Sequence, residues 1–347
     1  MAAFTTIDDP GSFFDTQIYA GTGAELAITG MGFQPDMNWT KDRDQTSNHV
    51  LTDAVRGATE TLYPNYNNGV AGQVTYAQGL KSFDSAGYTL GTDNLWNQSS
   101  SYDYVGWNWK MGTTSGLSGG SLTPAAYSFS ATAGQGIYRY TGTGSTETIA
   151  HGLGAVPKMI IVKRLGNQEW RVQHEAFGPT KYLVLDQADA TQTNSLNWAD
   201  TAPTSTVFTL GSSLCGTGND MISYVFADVQ GYQKCGSYEG NNNADGPFVY
   251  TGFQPEFLIQ KDIDVSRAWG MFYRKSEAKL GNTIDQYLHC NTDAAEAESG
   301  SNGVDFYSNG FKFKGAGAVI NAASTYLYIA FARAPLVNSS GVPVHAN

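Results

Sequence analysis

Self-similarity constrains this chain more than any other feature of its sequence. Three segments carry a proline followed six residues later by a lysine: Pro35 to Lys41, Pro157 to Lys163 and Pro255 to Lys261. The five residues between are strand-like each time, as in Lys158-Met159-Ile160-Ile161-Val162 and Glu256-Phe257-Leu258-Ile259-Gln260. Proline fits the start of such a strand, where its missing amide need not join the ladder. Upstream stands a Tyr-x-Gly element, at Tyr19, Tyr140 and Tyr238, with Tyr-to-Pro spacings of 16, 17 and 17 residues. Downstream come a glycine-marked strand, at residues 87–91, 207–211 and 310–314, and then a closing aromatic strand. Aligned on their tyrosines, the closing strands place Tyr104, Tyr224 and Tyr328 at 69, 67 and 73 residues after the prolines. They are apolar on both faces, which suits a strand in the middle of a layered sheet.

The chain is therefore read as all-β, with three homologous β-sandwich or jelly-roll-like modules in tandem. The expected division is an N-terminal anchor segment at 1–18, module one at 19–112 and a Gly/Ser-rich linker at 113–136. Module two follows at 137–231, module three at 232–335 and a C-terminal tail at 336–347. The linker composition predicts an extended or flexible connection, which would leave module one more independent. Modules two and three, with almost no spacer, would form one rigid unit. Short helical turns are expected near residues 53–59 and 276–280.

Composition narrows the function. Forty glycines and only 15 % charged residues among 347 exclude a coiled coil, and the glycines lack the three-residue period of collagen. The formal charge of −11 repels polyanions, so no nucleic acid partner is expected. No run of about 18 apolar residues occurs, so no membrane insertion is expected. The first nine residues lack the basic region and apolar core of a signal peptide, which implies synthesis in a cytoplasm.

No catalytic, metal or cofactor site is read from the residues. Cys215, Cys235 and Cys290 have no CxxC spacing and read as small buried hydrophobes, with pairing of Cys215 and Cys235 left open. The five histidines never fall in a zinc-binding pattern. Gly116-Leu117-Ser118-Gly119-Gly120 matches the serine hydrolase GxSxG, but it lies in the linker without a strand before it or a helix after it. Acidic pairs at Asp42 and Asp44, and at Glu296 and Glu298, read as solvated turns that do not recur at equivalent places. Trp39, Trp107 and Trp109 lie on predicted strands and read as core. Trp96, Trp170, Trp198 and Trp269 lie nearer loop edges, where core packing weighs equally against interface or glycan contact.

Certain segments carry a family resemblance: residues 151–163 (His-Gly-Leu-Gly-Ala-Val-Pro-Lys-Met-Ile-Ile-Val-Lys), 201–211, and 246–253. Asn48-His49, residues 53–57, residues 104–107 and the opening residues 6–10 add to it. These resemble a repeated β-domain of virion and tail-fibre-like structural proteins of tailed, often marine, phages, over about residues 6–335. The resemblance implies a non-enzymatic virion protein, made in the host cytoplasm and exposed as a tail or head fibre or a capsid decoration. The partners it implies are other capsid or tail proteins, further copies of the chain (a homotrimer first) and host-surface glycan. A carbohydrate-binding adhesin module is the alternative, and a polysaccharide depolymerase a less favoured one. The family supplies no catalytic residues to carry over.

Overall fold

The computed structural model describes residues 4–66, 72–276 and 281–344, with 44 % strand and 6 % helix. Its strands fall into three successive sets. The first is β1 (Phe14–Ala20), β2 (Leu26–Thr29), β3 (Met37–Asp42), β4 (Val50–Asp53), β5 (Gly57–Leu62), β6 (Val74–Thr75), β7 (Leu80–Asp84), β8 (Gly87–Leu90) and β9 (Asp103–Trp109). The second is β10 (Ala126–Ser130), β11 (Gln135–Thr141), β12 (Glu147–Ala150), β13 (Pro157–Arg164), β14 (Arg171–His174), β15 (Lys181–Val184), β16 (Gln192–Thr193), β17 (Val207–Leu210) and β18 (Asp220–Ala227). The third is β19 (Gln233–Glu239), β20 (Phe248–Tyr250), β21 (Phe253–Asp262), β22 (Gly270–Tyr273), β23 (Gln286–His289), β24 (Ala297–Glu298), β25 (Val304–Tyr307), β26 (Gly310–Phe313) and β27 (Thr325–Pro335).

One strand order occurs three times. The large sheets run β1-β9-β3-β4-β5-β6, β10-β11-β18-β13-β14-β15-β16 and β19-β27-β21-β22-β23-β24. The small sheets are β2-β8-β7, β12-β17 and β20-β26-β25. In each unit the strand after the Tyr-to-Pro interval (β3, β13, β21) pairs with the closing strand (β9, β18, β27), which also pairs with the first long strand. Each unit is thus a large sheet backed by a smaller one, with an apolar cluster beside the small sheet.

The closing strands show why both faces are apolar. Register aligns Val105, Ile222 and Leu327, then Trp107, Tyr224 and Ile329, then Trp109, Phe226 and Phe331. All nine lie in one central core, which draws on all three large sheets. The alternate residues, among them Tyr104, Met221 and Tyr326, face the outer layers. Aligning Tyr104, Tyr224 and Tyr328 was therefore incorrect. Tyr224 points inward while Tyr104 and Tyr328 point outward, and a one-residue slip exchanges the faces of a strand.

Ring contacts cross between units throughout the core. Phe14 stacks on Phe331 at 5.1 Å, Trp107 on Phe257 at 5.0 Å, and Phe226 meets Phe331 at 5.9 Å. A cavity of about 30 Å³ remains where the sheets meet, lined by residues such as Trp39, Met159, Tyr224 and Ile329. Module one is consequently no looser than the others, and modules two and three do not pack apart from it.

Two boundary expectations also change. The supposed linker contains β10 and the start of β11, and Ser121 and Leu122 N–H groups both donate to Thr148 O at 2.9 and 3.0 Å. Residues 112–122 otherwise lack helix and strand, but Leu117 and Leu122 pack on the apolar cluster of unit two. The supposed anchor at 1–18 belongs to the body from Thr5 onward: Ile7 is in the central core, and Thr5 Oγ1 donates to Gln230 O at 2.7 Å. The tail meets it there, Ser339 donating to Asp8 through both its N–H and its hydroxyl at 2.6 Å.

Candidate functional site

Trp96, Trp170, Trp198 and Trp269 are all buried, none more than 1 % exposed. A ring without a solvent face cannot stack on an incoming sugar, so the glycan-contact reading of these four is corrected to core. Trp96 and Trp198 fill the outer clusters of units one and two. Both sit on single-turn helices, Asn94–Asn97 and Ser195–Trp198, whose buried side carries the ring.

Trp170 and Trp269 do lie at interfaces, within the chain itself. Trp170 Nε1 donates to Tyr63 O of unit one at 2.9 Å, and Trp269 Nε1 donates to Val184 O of unit two at 3.0 Å. The corresponding place in unit one is His49, whose ring lies against the backbone of His289 in unit three. Each of these three residues is fixed from behind in the same way. The N–H groups of His49, Trp170 and Trp269 donate to Asn65 Oδ1, Asp186 Oδ1 and Asn291 Oδ1 at 2.8, 3.1 and 3.0 Å. Indole hydrogen bonds thus join unit two to one and three to two, and unit one meets unit three beside His49, where Ser47 N donates to Asp293 O at 2.8 Å. His49 Nδ1 accepts from Trp39 Nε1 at 2.9 Å, and burial holds its pKa well below the usual histidine value, so the ring is neutral.

Polar junctions reinforce this closure. Asp53 and Arg56 form a fully buried ion pair at 2.6 Å, and Tyr224 of unit two donates its hydroxyl to Asp53 Oδ2 at 2.7 Å. Arg43 pairs with Glu296 at 2.6 Å, joining units one and three, where Lys275 also meets Asp15 at 3.1 Å. The buried pairs Asp53–Arg56 and Arg43–Glu296 add little net stability but penalise any misaligned docking, because an unpaired buried charge is costly.

The repeated lysines share one environment. Lys41, Lys163 and Lys261 are on the inward-facing parity of β3, β13 and β21, and all three are buried. Their ammonium groups donate to carbonyls of the turn that follows, including Gln45 O at 3.1 Å and Gly166 O at 3.4 Å. Burial lowers each pKa to about 8. No acid or electrophile partner chemistry follows from this; the lysines cap turns at one end of the shared core.

The other sequence candidates are structural as well. Asp42 caps its turn by accepting from Asp44 N at 2.9 Å, while Asp44 accepts from Asp103 N at 2.5 Å. Asp262 and Asp264 repeat the arrangement in unit three, with Asp264 N and Thr325 N as donors at 2.9 and 2.8 Å. Acidic pairs therefore do recur at equivalent places, contrary to the sequence reading. Ser118 lies in exposed coil, without the strand-turn-helix that a nucleophile elbow needs. Cys215, Cys235 and Cys290 are buried free thiols. The equivalence of these three residues was missed in the sequence because they differ in type (His, Trp, Trp), and only the shared hydrogen bonds of their N–H groups to Asn65, Asp186 and Asn291 reveal it.

No curated protein and no solved structure matches the chain. A family model described as a domain of unknown function, DUF7483, matches residues 9–335 in one span, which takes in all three units. By that match, and with one core shared across the matched span, the chain belongs to the DUF7483 family.

Proposed function

We propose that this chain is a non-enzymatic structural protein of a tailed-phage virion, exposed as part of a fibre or as a capsid decoration. The observation that supports it most is the closed arrangement of three equivalent sheets on one aromatic core. The inner faces are spent on rigidity, which leaves turns and small sheets as the outer surface for contacts with other virion proteins. The segments that resemble the phage β-domain give the reading its biological direction, and with it the virion location.

The test is proteomic and structural. The protein is expected in purified particles, and cryo-EM should show density of its three-sheet shape on the exterior. Its absence from washed particles would overturn the proposal. On the same resemblance a homotrimer is the proposed assembly, and light scattering of the purified protein should return three times the 37.3 kDa chain mass. A monomer peak at working concentration would remove that part. Glycan binding is the second reading, favoured by a mainly apolar pocket in unit two that also presents Gln173, Lys158 and Glu175.

A further inference from the structure

Unit two departs from the other units at one place in its small sheet. In unit one, the turn Asp84 to Gly87 is preceded by Phe83, which pairs with Tyr88. In unit three, the turn Tyr307 to Gly310 is preceded by Phe306, which pairs with Phe311. The matching turn of unit two closes between Thr204 and Val207, with Thr204 N donating to Val207 O at 2.8 Å. The residue before it is Pro203. Proline has no N–H for the ladder, and Ala199 and Asp200 adopt left-handed backbone at φ 51° and 48°, which turns the chain away. No third strand forms beside β17.

The position below is changed too. Ile160 and Gln173 are paired on neighbouring strands of unit two, where unit three has Leu258 and Phe272. In unit three Leu258 and Phe272 belong to the same apolar cluster as Phe306. Compared with unit three, unit two thus lacks two rings there, one replaced by proline and one by an amide; unit one keeps Phe83 and has Thr52 at the second position. The result is a pocket of about 180 Å³, with Val156, Pro157, Ile160, Pro179 and Pro203 among its lining. Pockets for drug-sized molecules run about 300–1,000 Å³, so this one has room for a single ring.

Its polar groups are few. Gln173 is 5 % exposed, lines the pocket, and its side-chain amide makes no hydrogen bond among the described residues. Lys158 and Glu175, both lining the pocket, form an ion pair with a third of each side chain exposed. His174 is already committed: Nε2 bonds Tyr328 O at 3.2 Å, and Nδ1 accepts from Ala176 N at 3.1 Å. The amide atoms of Gln173 therefore open onto the pocket, where a ligand that can both donate and accept can take the place of water.

We propose that this pocket is a monosaccharide subsite that takes one pyranose ring. The ring's carbon face lies on the valine and proline floor, where the other units place their own phenylalanine. Its hydroxyls pair with the Gln173 amide, which both donates and accepts, and with the Lys158 and Glu175 charges. The inference deepens the glycan-contact reading and rests on it, but it does not depend on where the protein sits on a particle.

The test is an NMR titration of the full chain, labelled with ¹⁵N, against glucose, galactose, mannose and N-acetylglucosamine. Saturable shifts are expected at the Gln173 side-chain amide and at Val156 and Ala202, with millimolar affinity for at least one sugar. Pro203→Phe, which returns the ring found at Phe83 and Phe306, should weaken binding at least about tenfold. Gln173→Leu should also abolish it, because the amide that pairs with the sugar hydroxyls is gone; it serves if Pro203→Phe does not fold. No saturable shift with any of the four sugars overturns the proposal, as does undiminished binding by the folded variants. Preferential binding of tyrosinamide in a parallel titration also overturns it, by making the pocket a socket for a protein side chain. A failed titration with the protein present on particles leaves the virion proposal standing, and the converse result separates them equally.

Discussion

Glu256 follows Pro255 in β21, is buried, and has one carboxyl oxygen without a hydrogen-bond partner. Burial pushes its pKa up to about 7 from an ordinary 4.5, against the pull of Lys275. The folded protein keeps this proton up to about pH 7, whereas the unfolded chain releases it near 4.5. The group therefore favours folding below 4.5, and that contribution is lost as pH rises through 7. Glu256→Gln is expected to raise the melting temperature at about pH 8 and leave it unchanged at about pH 4; equal gains at both would refute this. Trp269→Phe keeps most of the buried ring but removes the shorter of two hydrogen bonds to Val184 O, which keeps Gln187 N at 3.3 Å, at a cost of about 0.5–1.5 kcal/mol. Urea unfolding measures it, and a cost near zero would mean that the indole N–H does not hold units two and three together. The four loop-edge tryptophans were legible as aromatic anchors but not as interior ones. A side chain's direction near a turn depends on what the next element brings over it, and local sequence does not encode that.

Elements were more legible than side-chain directions. The Pro-to-Lys segments marked β3, β13 and β21, and the glycine-marked stretches marked β8, β17 and β26. Their glycines have a steric reason. Gly21, Gly142 and Gly240 directly follow β1, β11 and β19, and a Cβ there would collide with the carbonyl oxygens of Ser99, Gly216 and Ala322. Gly240→Ala is expected to prevent folding or to cost more than about 4 kcal/mol. Gly218 has a positive φ of 69° but open space around it, so Gly218→Ala should cost only about 1–2 kcal/mol. Comparable melting temperatures for the two variants would contradict this account. The linker was misjudged because small polar residues suit a flexible tether and an edge strand alike. β10 exists because β11 offers it a ladder, from Ala126 opposite Arg139 to Ser130 opposite Gln135.

At the scale of the molecule, the shared core forbids independent modules. Phe14, Trp107 and Trp109 of unit one contact Phe257 and Phe331 of unit three, so removing one unit uncovers the rings of its neighbours. Calorimetry of the full chain is expected to give one transition, with calorimetric and van't Hoff enthalpies in agreement. A fragment of residues 113–231 should bind a hydrophobic dye and lack sharp NMR dispersion. Separate transitions, or a well-folded fragment, would show that the units are autonomous after all.

By itself the sequence determined the class of structure: glycine turns, strand-length apolar runs and a threefold recurrence leave little besides layered β-sheets. It also located the equivalent strands, because hydrogen-bonded ladders and close backbone approaches demand particular residue types locally. Only the tertiary structure decided that the three large sheets face one another, that the tryptophans are interior, and that a pocket opens beside Pro203 where units one and three carry a phenylalanine. Those outcomes depend on contacts between residues far apart in the chain. Any strand apolar on both faces satisfies the local rules equally well, whatever it packs against.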